Sequence, residues 1–299
     1  MDIKIKKFKQ ENIKTWFVTG ASSGVGFELC KQLLDKGYNV IAVARKIPEF
    51  QHRNALCLSV DVTKPDMIQE ALRLGTERFE RIDVLCNNAG VSSFVTIEET
   101  TLEHIQQVMD VNFWGAYNTI HEFLPYFRKN KSGTIINNTS MHGLSIRFGG
   151  GAYCASKYAL EGLNSVCWHE ARRFCRVMSF ELGAFSTGIL EHSVVKKTEI
   201  DEYKDIPDFY KNFDRWSYYN DLNIAIKTLI DQVEMKKLPR HLIIGKDAYN
   251  KIRIEAMSIL NDLKYAKNYS LKCSVKKENL LFRIIKKVYK TIHSCKNQK

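Results

Sequence analysis

The amino-acid sequence predicts an α/β fold in which helices cover both faces of a doubly wound parallel sheet. Two observations support this. Apolar runs alternate with amphipathic segments across residues 15–245, and a glycine-rich turn directly follows the first apolar run. Strands separated by helices in this way join through right-handed crossovers and lie parallel. The sequence contains no internal repeat, so we expect one domain over residues 1–247 and a basic helical extension over 248–299.

The first half of the chain supplies four of the predicted strands. The segment TWFVTG (15–20) is typical of a buried strand. The helix that follows, GVGFELCKQLLDKGY, ends at Gly37 and has an apolar inner face made of Phe27, Leu29, Cys30, Leu33 and Leu34. Further strands are predicted at 39–45, 55–62 and 82–90, with a helix at 65–79.

The second half continues the alternation. A long helix over about 101–129 precedes a strand at 133–140, and a helix at 152–172 precedes a strand at 176–182. A loop-rich insert over 183–219 is followed by a helix at 221–236 and a strand at 241–245. We expect the substrate pocket to be built from loops around 92–96 and 141–151 and from this insert.

The composition is that of an ordinary globular protein. Of the 299 residues, 44% are hydrophobic and 26% are charged. The eight cysteines show no C-x-x-C pair, and the N-terminal segment MDIKIKKFKQENIK lacks the apolar core of a secretory signal. We therefore expect a cytoplasmic protein with free thiols. No residues have zinc-ligand spacing, so no metal site is predicted.

The formal net charge of +12 is concentrated near the C-terminal end. Residues 270–299 contain nine Lys or Arg and one Glu, so the rest of the chain is only mildly basic and no nucleic-acid-binding face is predicted. Apolar residues recur at near-helical spacing in 278–299: Leu281, Ile284, Ile285, Val288, Tyr289 and Ile292. The pattern is too short and too charged to span a bilayer. It is typical of a helix packed on protein or of an interfacial helix that contacts anionic lipid.

The segment TGASSGVG (19–26) occupies the place of a phosphate-binding loop, between the first strand and the first helix. Gly20 permits a tight turn, Gly24 lets the backbone approach a diphosphate, and Gly26 lets the helix pack on the sheet. The N–H groups at the helix start then face the anion. A dinucleotide cofactor is the favoured interpretation, and a plain strand–helix connection is the alternative.

Polar residues also gather at the end of the fifth strand. Ser140 closes that strand, at the sheet edge where open α/β folds bind ligands. Tyr153 and Lys157 are four residues apart on the next helix, so the phenol and the ammonium point to one side. Tyr158 is rotated by about 100° from Lys157 and is expected to be a packing residue. A nearby cation would bring the phenol pKa closer to neutrality for acid/base work.

Together, TGASSGVG, the pair DV (61–62), NNAG (87–90) and Y-x-x-x-K resemble the short-chain dehydrogenase/reductase family, with a Rossmann-type fold, over residues 14–245. The resemblance implies that Tyr153 is the acid/base, that Ser140 holds the substrate oxygen and that Asn112 orients a water in a proton relay. It also implies that Lys157 binds the nicotinamide ribose. The cofactor contacts that it implies are Gly20, Ser22, Ser23, Gly24, Val25, Gly26, Asp61, Val62, Asn88, Ala89, Gly90, Tyr153, Lys157, Gly183 and Thr187.

The second strand ends in VARK, which bears on the choice of cofactor. An acidic side chain there would bind the ribose diol of NAD, but the sequence has Ala44 followed by Arg45 and Lys46. These cations, with the hydroxyls of Ser22 and Ser23, suit a 2′-phosphate. We therefore predict NADP, with NAD as the alternative.

The chain departs from the family pattern after the sixth strand, where Leu182 replaces the usual proline of a Pro-Gly pair. We expect a looser loop there, because proline would fix the backbone. The stretch GAFSTGIL resembles the arm of family members that act on bulky apolar carbonyls or alcohols. The helices at 101–129 and 152–172 resemble the family's dimer-forming pair, which implies a homodimer or homotetramer.

The sequence thus predicts an oxidoreductase that transfers hydride between a nicotinamide cofactor and a bulky, apolar small-molecule carbonyl or alcohol substrate, by a Ser-Tyr-Lys-Asn mechanism. A catalytically silent cofactor sensor or membrane-surface scaffold on the same fold is the alternative. A silent binder has no chemical need for Tyr153 or Ser140, so their presence favours the enzyme.

Overall fold

The computed structural model describes residues 13–188, 193–196, 198–203 and 220–273, together with Ile285. The strands are β1 (Thr15–Thr19), β2 (Asn39–Ala44), β3 (Ala55–Ser59), β4 (Val84–Asn87), β5 (Ser93–Phe94), β6 (Thr134–Asn138), β7 (Arg176–Leu182), β8 (Val194–Val195) and β9 (His241–Ile244). The helices are α1 (Gly24–Asp35), α2 (Pro65–Phe79), α3 (Leu102–Met109), α4 (Gly115–Asn130), α5 (Gly151–Ala171), α6 (Leu222–Glu234) and α7 (Lys246–Ser270).

Seven strands form one sheet in the order β3-β2-β1-β4-β6-β7-β9, and every pairing within it is parallel. The strand order reverses direction at β1, which lies between β2 and β4. This confirms the predicted doubly wound α/β fold. Ligands of such sheets bind outside the carboxyl ends of the strands at the point of reversal.

Two apolar layers hold the helices to the sheet, because successive side chains of a strand point to opposite faces. Val18 packs in the layer with Leu29 of α1 and Leu229 of α6. Phe17, its neighbour, packs in the opposite layer, where its ring lies 4.9 Å from that of Phe123 of α4. These buried layers fix the positions of the loops at the carboxyl edge of the sheet.

Two features of the helices differ from the sequence prediction. The long helix predicted at 101–129 is interrupted by a π-helical segment at Asp110–Trp114, between α3 and α4. Phe27, predicted on the inner face of α1, is 38% exposed and stacks on Phe50 at 4.8 Å. Helical periodicity predicted Phe27 in the core. In the structure its ring is instead partly covered by Phe50, in the segment that follows β2.

The loop-rich insert contains some regular structure. Within its described residues, β8 pairs in parallel with β5, and a short 3₁₀ helix covers Asp201–Tyr203. Strand β5 lies in the loop around 92–96, which was predicted to line the substrate pocket.

Contacts divide the chain into two units, Met1–Arg253 and Ile254–Lys299. Helix α7 runs through both this point and the predicted boundary at 247, which stays a prediction. The predicted apolar and basic helix at 278–299 lies outside the described residues, apart from Ile285. Among the residues that the structure describes, no helix is both long and apolar enough to cross a bilayer, and the seven cysteines all carry free thiols.

Candidate active site

The loop between β1 and α1 is built on glycines at close contacts. Gly20 has a φ of +67°, and a Cβ there would lie 2.8 Å from the Cα of Ala89. A Cβ on Gly26 would lie 2.5 Å from the side-chain nitrogen of Asn88 and closer still to the carbonyl oxygen of Gly20. Gly24 has a φ of +55° and faces the carbonyl of Thr187. No larger residue fits these positions without moving the backbone.

Asn88 fastens this loop to the turn that follows β4. Its side-chain nitrogen donates to the carbonyl oxygens of Thr19 and Gly20, at 3.1 and 3.3 Å. The backbone N–H groups of Asn88 and Ala89 both donate to the hydroxyl of Thr19 at 2.9 Å. The glycine loop and the NNAG turn therefore form one hydrogen-bonded unit.

A cleft of about 780 Å³ runs along this unit at the carboxyl ends of the central strands. Its lining includes most of the predicted cofactor residues, namely Gly20, Ser22, Ser23, Gly24, Val25, Arg45, Asp61, Val62, Asn88, Ala89, Gly90, Tyr153, Lys157 and Thr187. Gly26, which lies close to Gly20 and Asn88, is not among the described lining residues of the cleft. Gly183 lines a neighbouring cavity. The cradle fits a dinucleotide, because it offers a glycine-lined floor, a helix start whose Ser23 side chain makes no cap bond, and cations.

Ser140 lies beside the phenol of Tyr153, which lines the cleft. Ser140 has a φ of +70°, which is strained for a residue with a side chain and costs about 1–3 kcal/mol. Hydrogen bonding from its hydroxyl lowers the pKa of the Tyr153 phenol. Burial acts in the other direction and more strongly, so the pKa of Tyr153 is raised overall. Tyr158 is 41% exposed, and the described lining of the cleft contains Tyr153 and not Tyr158.

Arg147 is one cation that acts on the phenol. Its guanidinium carbon lies 4.7 Å from the centre of the Tyr153 ring, and its charge lowers the pKa of the phenol. The ammonium of Lys157 lies 5.8 Å from the same ring centre. Arg147 belongs to the loop before α5, where no motif marks it.

Lys157 is buried and bound to the end of β6. Its ammonium donates a 2.7 Å hydrogen bond to the carbonyl oxygen of Asn138. Burial lowers the pKa of Lys157 to about 8, although the Glu161 carboxylate one turn later opposes that shift. The ammonium of Lys157 therefore loses its proton in a pH range that an assay can reach.

Asn112 lies in the π-helical segment with its side chain fully engaged. Its oxygen accepts from the N–H of Val91 at 2.8 Å, and its nitrogen donates to the carbonyl of Val91 and to the hydroxyl of Ser156. The side-chain amide therefore joins the chain after NNAG to α5. π-helical segments of this kind are frequent at functional sites.

A family model for short-chain dehydrogenases matches residues 14–198. The chain belongs to the short-chain dehydrogenase/reductase family. It is therefore an oxidoreductase with an NAD(P)-binding Rossmann fold, in a family whose members generally act on CH–OH or C=O groups.

Three relatives illustrate the similarity. An uncharacterized oxidoreductase of Staphylococcus saprophyticus is 34% identical over 209 residues, which are 67% of this chain and 83% of the relative. The 3-ketodihydrosphingosine reductase of Bacteroides thetaiotaomicron is 35% identical over 58% of this chain and 65% of its own length. The crystal structure of a short-chain dehydrogenase from Streptomyces avermitilis aligns over 88% of this chain and 100% of the Streptomyces chain. The TM-score is 0.79 and the sequence identity is 27%.

In this short-chain dehydrogenase/reductase, a smaller cavity of about 110 Å³ adjoins the cleft. Four residues line both, namely Val25, Asn138, Tyr153 and Thr187. The cavity also has apolar walls, made of Phe94, Met141, Leu182 and Phe185, and polar residues that include Ser140, His142, Arg147 and Lys251. Ser140 and Tyr153, which were predicted to hold the substrate oxygen and to act as the acid/base, both lie in its wall.

The loop after β7, where Leu182 stands in place of the family's proline, is held by contacts that sequence reasoning missed. The carboxylate of Asp247 accepts from the N–H of Ala184 at 2.7 Å and from the side chain of Asn220 at 2.8 Å. Asn220 also donates to the carbonyl of Ala184 at 2.9 Å. The expected looser loop is therefore tied down at Ala184 by polar side chains instead of by proline.

A buried acidic pair lies beneath the site. Glu161 of α5 accepts from Ser179 at 2.8 Å, and Nδ1 of His241 lies 2.7 Å from the carboxylate of Glu181. Burial raises the pKa of Glu181 to about 7; the bond to His241 opposes that shift and Glu161 adds to it. The bond to Glu181 raises the pKa of His241. The remaining oxygens of the two glutamates are buried without a hydrogen-bond donor, so a shared proton would satisfy both.

Proposed function

We propose that this short-chain dehydrogenase/reductase is an NADP-dependent carbonyl reductase or alcohol dehydrogenase. One observation carries the proposal. The phenol of Tyr153 stands in the wall shared by the nucleotide-sized cleft and the smaller cavity, beside the hydroxyl of Ser140. An acid/base at such a junction reaches a carbonyl in the cavity and lies next to a cofactor in the cleft.

The proposed roles follow from the position of each side chain. Ser140 donates a hydrogen bond to the substrate oxygen, and Tyr153 gives that oxygen its proton during reduction or removes it during oxidation. Lys157 holds the cofactor ribose from the back of the cleft, and Asn112 positions the π-helical segment against α5. A bound nicotinamide cofactor supplies or accepts the hydride.

The preference for NADP rests on charge at the end of β2. Arg45 and Lys46 line the cleft directly after Ala44, and no acidic side chain stands at the end of that strand. Among the described lining residues, Asp61 is the acidic one, and its carboxylate accepts from the N–H and hydroxyl of Thr63. Two cations at this edge favour a 2′-phosphate over a ribose diol.

Four large apolar side chains of the smaller cavity, Phe94, Met141, Leu182 and Phe185, support an apolar body for the substrate. One relative is named as a 3-ketodihydrosphingosine reductase, and this name is consistent with a ketone substrate that carries an apolar body.

A homodimer or homotetramer formed through α4 and α5 is also proposed. Tyr117 on α4 and Tyr158 and Val166 on α5 are large side chains that are 39–53% exposed. Light scattering coupled to size-exclusion chromatography tests it: we expect twice or four times the chain mass. A monomer at micromolar concentration would contradict it.

The enzymatic proposal is tested with a panel of ketones and aldehydes, measured as NADPH consumption by the full-length protein. We expect turnover that falls about 10²–10⁴-fold in Tyr153→Phe, because the acid/base is lost while the ring remains. Tyr158→Phe is the matched control and should keep its activity. If both variants and the wild type are equally inert but bind NADPH, the protein is a cofactor sensor or scaffold and the proposal fails.

A further inference from the structure

Two carboxylates and an imidazole meet where α5 packs on the last two strands of the sheet. Glu161 comes from α5, Glu181 from β7 and His241 from β9, the edge strand. One oxygen or nitrogen atom of each lies within 4.8 Å of those of the other two. From this arrangement we infer that Glu161, Glu181 and His241 bind one divalent transition-metal ion. Because the three residues are far apart in the sequence, ligand spacing does not indicate this site.

The three groups are already close to the spacing of a coordination sphere. Nδ1 of His241 lies 2.7 Å from an oxygen of Glu181 and 3.7 Å from an oxygen of Glu161. Nitrogen and oxygen ligands of a tetrahedral zinc ion are about 3.4 Å apart, because each lies about 2.1 Å from the ion. The two distances lie on either side of that value, so small side-chain rotations bring the three groups around one ion.

Each carboxylate has a buried oxygen for which the protein provides no donor. Among the described residues, neither Oε1 of Glu161 nor Oε2 of Glu181 has a hydrogen-bond partner. The side chain of Glu181 is fully buried, and Glu161 is 5% exposed. A buried carboxylate oxygen without a partner is unfavourable, because it has lost its hydrogen bonds to water. Ligation of a metal ion by these oxygens removes that cost.

A divalent ion also balances the charge of the cluster. The ion pairs that the structure describes for the two carboxylates are both with His241. Lys157 lies one turn before Glu161, but its ammonium donates to the carbonyl of Asn138. Two carboxylates, a neutral imidazole and a divalent ion have no net charge, which suits a buried site. Without the ion, a proton shared by the carboxylates takes its place, so a pH-dependent stability due to this proton belongs to the metal-free chain.

The surroundings of the cluster orient one ligand and leave a path for the ion. The hydroxyl of Ser179 donates to Oε2 of Glu161 at 2.8 Å, and Asn164 donates to that hydroxyl at 2.7 Å. Hydrogen bonds of this kind orient the ligating carboxylates of metal sites. The side chain of His241 is 31% exposed, so an ion can enter from solvent on its side. Mg²⁺ and Ca²⁺ prefer oxygen ligands alone, whereas an imidazole favours Zn²⁺ and similar ions.

The role of such an ion is structural. It joins the edge strand β9 to β7 and to α5, the helix that carries Tyr153 and Lys157. Only the folded chain brings the three ligands together, so the ion stabilises the folded state. The inference does not depend on the proposed reaction.

The test is metal binding to the full-length protein after treatment with a chelator, measured by calorimetry with Zn²⁺, Mn²⁺ and Mg²⁺. We expect the cluster to bind one Zn²⁺ per chain, to bind Mn²⁺ more weakly and not to bind Mg²⁺. Glu181→Gln and His241→Gln each remove a ligand and should weaken Zn²⁺ binding by at least about 100-fold. Ser179→Ala removes only the hydrogen bond to Glu161 and should weaken it by about 10–100-fold.

His121→Gln is the matched control, because His121 also lies beside a carboxylate, that of Glu122 at 3.3 Å, but on the exposed surface of α4. It should bind Zn²⁺ as the wild type does, and so should Cys273→Ser, which removes an exposed thiol. Loss of binding in either control assigns the ion to the surface and overturns the inference.

Thermal unfolding provides a second measurement and shows that the variants are folded. The midpoint of the wild type should rise with Zn²⁺ concentration, and that of Glu181→Gln should not, because an ion bound only by the folded state stabilises it. A wild type that binds neither Zn²⁺ nor Mn²⁺, or binding that is unchanged in Glu181→Gln and His241→Gln, overturns the inference. Neither measurement needs turnover, so its outcome is independent of the proposed reaction.

Discussion

The ammonium of Lys157 donates a 2.7 Å hydrogen bond to the carbonyl of Asn138, and this contact links the two ends of the site. The side chain of Asn138 donates to Asn88 at 3.0 Å, and Asn88 in turn donates to the carbonyl of Gly20 in the glycine loop. A continuous series of hydrogen bonds thus connects the glycine loop to the helix that carries Tyr153. A displacement of the glycine loop is therefore expected to shift the helix that carries Tyr153, and a displacement of the helix is expected to shift the loop.

The charge of Lys157 should make NADPH binding dependent on pH. Burial lowers the pKa of this lysine to about 8, so the ammonium is present below pH 8 and is lost above it. Since the proposed role of the cation is to hold the cofactor, we expect the dissociation constant for NADPH to rise above pH 8, by up to tenfold per pH unit. Fluorescence titrations between pH 6.5 and 9.5 measure this.

Lys157→Met is the control for that series, because it has no charge to lose. Its dissociation constant should be higher at pH 7 and should not rise with pH as the wild type's does. A wild-type curve parallel to that of Lys157→Met would mean that another group causes the dependence.

Gly26 and Gly162 provide a matched pair of Gly→Ala substitutions. A Cβ at position 26 meets the carbonyl of Gly20 and the side chain of Asn88, so Gly26→Ala should weaken NADPH binding at least tenfold by displacing the loop. At the exposed position 162 in α5 a Cβ meets nothing within 4 Å, so Gly162→Ala should stabilise the protein by about 0.5–1 kcal/mol. Thermal unfolding and NADPH titration measure both. Unchanged NADPH affinity in Gly26→Ala would contradict this account of the loop.

The arrangement of strands and helices was predictable, because it depends on local patterns. The alternation of apolar strands with helices fixed the order of elements, and TGASSGVG marked the turn at β1. The π-helical segment Asp110–Trp114 was not predicted, since one extra residue per turn barely alters the apolar spacing. The pairing of β5 with β8 was also missed, because each strand has only two residues.

Within the site, the motifs indicated residues whose side chains touch the cleft, but not the groups that hold them. Asn138 acts through a backbone carbonyl, which carries no sequence signal. Arg147, Lys251 and Asp247 reach the smaller cavity or the loop after β7 from segments that only the tertiary fold brings together. The one available signal was the position of Arg147 within the loop 141–151 that was expected to line the pocket.

The cation at the end of β2 should decide between the two nicotinamide cofactors. Arg45→Asp replaces a charge that favours a 2′-phosphate with one that repels it and binds a ribose diol. We expect the NADPH-to-NADH ratio of kcat/KM to fall at least tenfold, since charge-assisted contacts are worth about 1.5–3 kcal/mol. Lys129→Asp, an exposed position in the last turn of α4, should not change the ratio. The same ratio in wild type and Arg45→Asp would argue that Arg45 does not contact the cofactor.

The buried pair Glu161 and Glu181 should make stability depend on pH between about 5 and 8. Folding raises the pKa of Glu181 to about 7 and also raises that of His241, so the folded chain binds more protons than the unfolded chain. That stabilisation is complete at low pH and is lost as the pH rises through the folded-state values. We expect the free energy of unfolding to fall by ~1–3 kcal/mol over this range. In Glu181→Gln, whose amide imitates the protonated acid, urea unfolding should show a shallower fall, whereas Glu103→Gln, exposed on α3, should match the wild type. A wild-type stability that is flat, or that rises from pH 5 to 8, would exclude a proton shared by the pair.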